Sequence, residues 1–167
     1  MHDLKDLVYR STTFTLRELE RVNSIIIEKL SENGSTVAVK NLQMIQLQKV
    51  FFVIGMFSYF ESFLQRELSC MDGFKEAKKI LKEKGLAELA ERFEIFICAV
   101  NVLKHGEGKS YDTLLPKYDT LPFNVKQRDQ AFFFEGDVSK VDTLIEVDDE
   151  FILNCAKTIE LVLDHIA

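Results

Sequence analysis

A chain of 167 residues, 47% hydrophobic and 29% charged, has the size and balance of one folded domain, which excludes a disordered or low-complexity polymer. Its net charge of −6 argues against broad binding to duplex nucleic acid, which depends on neutralising phosphates. The longest apolar run, Val50 to Met56 continued by Phe57, is far shorter than the roughly 20 residues that span a bilayer, so no membrane partner is expected.

The opening residues, Met1-His2-Asp3-Leu4-Lys5-Asp6, mix charges and lack an apolar leader core, which makes the cytoplasm the expected location. A first helix is predicted over about residues 12–31, with Leu16, Leu19, Val22, Ile26 and Leu30 as its apolar stripe. Asn33-Gly34-Ser35 ends it, and Thr36 is placed to cap the next helix. The second helix, residues 37–70, is apolar on every side between Val50 and Phe57. Such a helix must be surrounded by others or by a second subunit. Its length of about 50 Å exceeds what a compact domain of this size needs, so either part of it projects toward a partner or Gly55 marks a bend.

Asp72-Gly73 breaks the chain before a lysine-rich third helix, residues 74–84, ended by Gly85. The fourth helix, residues 86–104, repeats Leu89, Phe93, Phe96, Ile97, Val100 and Leu103, and Gly106 and Gly108 close it. An irregular stretch with Pro116 and Pro122 follows, holding a short helix near residues 111–115. Residues 131–135 and 142–147 carry strand-like β-branched and aromatic content. Asp148 caps a last helix over residues 149–166. The predicted fold is all-α: a single domain of residues 1–167, a four- to five-helix bundle with a small β-hairpin or irregular appendage at about residues 129–147.

Charge is segregated along the chain. From Asp129 onward ten acids meet only Lys140 and Lys157, a net of −8, which leaves +2 for residues 1–128. Three widely spaced cysteines, Cys70, Cys98 and Cys155, fit buried free thiols in a reducing compartment better than disulfides or a metal site. No paired ligands stand at zinc spacing, and no metal or cofactor is expected.

Chemistry concentrates at the end of the fourth helix. Glu94, Cys98, Asn101 and His105 are spaced by 4, 3 and 4 and so share one face. The negative end of the helix dipole favours a charged imidazole at His105, and Asn101 sits one turn away. Glu61 lies in the buried stripe of the second helix with Phe57, Phe60, Leu64 and Leu68. A carboxylate there needs a partner. His105, Lys104 and Asn101 compete for that role with a structural ion pair to Arg66, Arg92 or a lysine. Gly106-Glu107-Gly108-Lys109-Ser110 is no P-loop, since Leu103 stands where the first glycine belongs and a helix precedes it. Gly106, Gly108 and Lys109 still let backbone amides and an ammonium approach an anion.

Asn101-Val102-Leu103-Lys104-His105-Gly106, with Glu61 in Tyr59-Phe60-Glu61-Ser62-Phe63-Leu64, resembles the motif of the HEPN superfamily. The resemblance implies a helical bundle, often homodimeric, and in many members a metal-independent endoribonuclease of toxin–antitoxin or defence systems. It implies an arginine holding the scissile phosphate and a histidine handling the proton of the ribose 2′-hydroxyl. Here Cys98, Ala99 and Val100 occupy the arginine's place, and loss of that cation removes transition-state stabilisation. Lys104 and Lys109 lack arginine's bidentate geometry. The expectation is therefore an RNA- or nucleotide-binding protein with weak or no ribonuclease activity. His105, Asn101 and Glu61 stand as the catalytic-type residues, and Lys104, Gly106, Gly108 and Lys109 as the anion-binding ones. The alternative is a non-enzymatic dimeric interaction module with a protein partner.

Overall fold

The computed structural model describes residues 4–33 and 36–166. It is an all-α bundle: α1 (Leu4–Asn33), α2 (Thr36–Glu67), α3 (Gly73–Glu83), α4 (Ala87–His105), α5 (Lys109–Leu114), a 3₁₀ turn (Leu115–Thr120) and α6 (Asp149–Ile166). The central helix is α4, which packs against α2, α3, α5 and α6. Its inward side, Ala90, Phe93, Phe96, Ala99 and Val100, is buried almost completely. Phe93 meets Phe60 of α2 at 5.9 Å and Phe74 of α3 edge-on at 5.4 Å, while Phe96 meets Phe151 of α6 at 5.9 Å. Aromatic contacts therefore join all four elements.

Local sequence sets where the helices begin and end. Asp72 accepts a hydrogen bond from the Lys75 amide at 2.9 Å to start α3, and Asp148 accepts one from Phe151 at 2.7 Å to start α6. Asp149 and Glu150 add negative charge in the first turn of α6, where the helix dipole favours it. Gly34 and Ser35, the expected break between the first two helices, lie outside the described residues.

Two differences from the sequence reading have physical causes. The first helix begins at Leu4, well before residue 12, because Leu4, Val8 and Thr12, four apart, are all buried. Packing thus overrides the weak helix propensity of Ser11-Thr12-Thr13. The strand pairing expected between residues 131–135 and 142–147 is not formed, and the appendage is irregular. Residues 142–147 turn instead toward residues 124–126, through the isolated bridge Val125–Ile145 and bonds from Lys126 N to Leu144 O (2.8 Å) and Glu146 N to Asn124 O (3.0 Å). Burial decides the choice: Ile145, Val147 and Val125 enter the core, whereas Phe132 and Phe134 stay exposed.

The hairpin of α1 and α2 holds a second, smaller core of its own. Ile26, Ala38, Leu42 and Ile45, flanked by Leu19, Val22 and Leu30, come from these two helices alone. α2 runs unbroken through Gly55 for 32 residues. By length and composition alone this helix is also apolar enough to cross a membrane.

One polar clamp binds the bundle internally. Arg92 donates from Nε to Thr158 Oγ1 and from Nη2 to Asn154 Oδ1, both at 3.0 Å, while lying 5.4 Å over the Phe96 ring. This occupies a cation that sequence reasoning offered to Glu61. Arg92→Ala is expected to cost about 2 kcal/mol, because charge-assisted bonds at a half-buried site are lost together. A lower urea midpoint at unchanged slope would show it, and an unchanged midpoint would refute it.

Candidate functional site

At the C-terminal end of α4 the chain turns sharply into α5. Gly106 makes the turn with φ of 73°, a left-handed conformation that costs a residue with a Cβ, and its amide donates to Val102 O at 2.8 Å. The corner encloses an open pocket of about 230 Å³ lined by Asn101, His105, Gly106, Glu107, Gly108, Lys109 and Ser110. The structure thus gathers five of the seven sequence-predicted residues, Asn101, His105, Gly106, Gly108 and Lys109, around one cavity. His105 and Lys109 are exposed, and Asn101 is half-buried.

Lys104 and Glu61 are not among the residues lining that pocket. For Glu61 the reason lies in the register of α2 against α4. Its neighbour Phe60 meets Phe93, and Phe93 precedes His105 by twelve residues, or about 18 Å of helix. Glu61 is also only half-buried, so its carboxylate reaches water without a dedicated partner.

The remaining members of the predicted face serve the scaffold. Glu94 pairs with Lys78 of α3 and accepts a weak bond from Cys98 Sγ at 3.9 Å. Burial, with the Glu94 charge second, pushes the Cys98 thiol above its ordinary value, and burial pushes Cys155 well above it. Both remain thiols at neutral pH, as buried free cysteines should, and neither is a ready nucleophile. Of the lysines of α3, Lys78 and Lys79 are ion-paired with Glu94 and Glu76, and Lys84, just past its end, donates to the His165 carbonyl at 2.5 Å.

The pocket does not stand alone. Through Glu107 it adjoins a cleft of about 430 Å³ that includes Gln127 and Arg128. That cleft shares Lys126 and Asp142 with a larger cavity of about 550 Å³ walled by Phe132, Phe133, Phe134 and Lys140. Lys126 is buried, pairs with Asp142, and lies 6.0 Å over the Phe133 ring. Tyr111, fully buried, donates to Lys126 O at 2.5 Å and fastens α5 to this wall. Burial is also the main cause that raises the Tyr111 phenol above its ordinary value, so it stays a donor. Sequence reasoning missed this neighbourhood by taking Phe132-Phe133-Phe134 for a strand. Three adjacent aromatics beside Gly136-Asp137, in an otherwise polar stretch, were the available signal.

No family model, no characterised protein and no solved structure matches this chain.

Proposed function

We propose that this chain is a cytoplasmic, HEPN-like protein of a toxin–antitoxin or defence setting that contacts RNA or a nucleotide at the α4–α5 corner without efficient catalysis. The observation that supports the reading is the shared pocket of Asn101, His105 and Lys109. An amide, an imidazole and an ammonium there meet the backbone of Gly106 and Gly108. That set offers donors to a phosphate and both donor and acceptor to a base edge. The neighbouring cleft adds Arg128, and the cavity beyond it adds exposed Phe132, a surface on which a base can stack.

Catalysis lacks its cation. Cys98, Ala99 and Val100, where the motif arginine belongs, are buried apolar positions of α4. Arg128 is held by Asp112 at 2.6 Å. A developing phosphorane charge thus has Lys109 nearby and no bidentate guanidinium on the helix.

Binding of a fluorescently labelled single-stranded RNA tests the proposal. His105→Ala is expected to weaken affinity at least about fivefold, and Lys109→Ala to lower the salt dependence by about one phosphate contact. Equal affinity of the wild type and both variants would remove the site. A second reading, a non-enzymatic interaction module, is favoured by the outward side of α2, where Met44, Leu47, Phe51 and Tyr59 are exposed.

A further inference from the structure

The cavity of about 550 Å³ walled by Phe132, Phe133 and Phe134 has the size of a small-molecule site. Its rings are not used up in the core: Phe132 is 63% exposed and Phe134 57%, while Phe133 is half-buried. Gln43 of α2 lines the same cavity and donates to the Val138 carbonyl at 3.0 Å, which ties this wall to the bundle. Lys126 lines it too. Its side chain is only 9% exposed, and its ammonium lies 6.0 Å over the Phe133 ring.

An ammonium so enclosed has three donors to satisfy. One goes to Asp142 and another to the Ala131 carbonyl at a long 3.4 Å, which leaves the third without an acceptor among the described residues. Asp142 is itself 89% exposed, so water screens the charge that should offset the dehydration of the lysine. A carboxylate enclosed in the cavity would be less hydrated and would attract the ammonium more strongly. We propose that this cavity binds a small planar aromatic carboxylate, whose ring stacks among Phe132, Phe133 and Phe134 and whose carboxylate accepts from Lys126.

The charges of the wall set the class of ligand. Asp137 accepts the Ser139 amide at 3.0 Å and the Ser139 hydroxyl at 2.5 Å, bonds that keep it ionised near Asp142. Lys140 is paired with the buried Glu146 at 3.5 Å. A phosphate monoester, with roughly two negative charges at neutral pH, would meet two carboxylates for one available ammonium donor. A single carboxylate is matched by that donor. An aliphatic acid of the same charge would gain no stacking from the three rings, and an amine would face the buried ammonium. The ligand is thus of another class than the RNA or nucleotide of the α4–α5 corner. Tyr111 donates to the backbone oxygen of Lys126, so the lysine side chain can change partner without loosening α5.

Calorimetric titration of the full chain with 2-naphthoate, a planar aromatic monoanion, is expected to give one site per chain with a Kd on the order of 100 μM. Its uncharged counterpart, 2-naphthamide, should bind at least about tenfold more weakly. Lys126→Met keeps the length of the side chain and leaves only the well-hydrated Asp142 unpaired; it should bring both probes to the same affinity. Phe132→Ala, at an exposed ring, should weaken both probes about fivefold. Asp142→Asn, at an exposed side chain that leaves the fold intact, removes the competing carboxylate and should tighten 2-naphthoate about threefold. No binding of 2-naphthoate at millimolar concentration overturns the proposal, as does equal affinity of the wild type for the two naphthyl probes. A preference kept by Lys126→Met, or weaker 2-naphthoate binding by Asp142→Asn, overturns it too. Adenosine monophosphate bound more tightly than 2-naphthoate, and lost in Lys126→Met, would assign the cavity to a nucleotide and overturn it equally. No RNA enters these titrations, so they stand or fall apart from the α4–α5 pocket.

Discussion

Phe93→Ala is expected to lower the unfolding free energy by about 4 kcal/mol, because truncating a fully buried phenylalanine loses both its transfer energy and the cavity left behind. Phe93 is completely buried at the junction of three helices, with Phe60 at 5.9 Å and Phe74 at 5.4 Å. Those rings belong to different helices and cannot collapse inward without moving α2 or α3, so relaxation should recover little. For a chain of this length the loss corresponds to a melting temperature lower by about 8–16 °C. The matched control is Phe134→Ala, 57% exposed on the irregular appendage, which should stay within about 0.5 kcal/mol of the wild type. Thermal unfolding followed by far-ultraviolet circular dichroism separates the two. Equal shifts in both variants would mean that the junction of α2, α3 and α4 is not the centre of stability.

The helices were legible because their signals are local and repeated. Asp72, Asp148 and Gly85 mark ends that the structure reproduces within a residue or so, since a capping oxygen or a left-handed glycine acts only on its own turn. The start of α1 was not legible: Leu4 and Val8 are buried by packing, and Lys5 reaches Asp164 of α6 at 2.6 Å, across a separation of 159 residues. The same limit governs the site. Asn101 and His105 share a helix face, so their spacing alone predicted their common pocket. Glu61 and His105 are on different helices, and only the register of α2 against α4, set by Phe60 on Phe93, decides whether they meet. Glu61 also looked buried from its stripe, yet it is only partly covered, because it stands at the edge of the stripe whose centre is Phe57, Phe60 and Leu64.

Gly73→Ala should destabilise by about 2–3 kcal/mol, more than half the effect of losing Phe93, although it adds only one methyl group. Gly73 opens α3 and is buried against α2. A Cβ at this position would lie 2.8 Å from the Glu61 carbonyl oxygen, 2.8 Å from Leu64 Cβ and 3.0 Å from the Gln65 amide nitrogen. Two of these three are backbone atoms of a continuous helix, so no rotamer change relieves the overlap, and α2 and α3 must separate. Separation loosens Phe74 from Phe57 and Phe60, which it meets at 6.2 Å, and so opens the aromatic junction from its edge. The strain falls at the end of α2 beside Phe93, about 18 Å along α4 from His105. Folded Gly73→Ala protein should therefore bind RNA with wild-type affinity while unfolding at a lower urea concentration, the reverse of the pattern expected for His105→Ala. If Gly73→Ala instead weakened RNA binding without loss of stability, the pocket and the α2–α3 packing would be coupled, and the division between a rigid scaffold and a local site at the α4–α5 corner would be wrong.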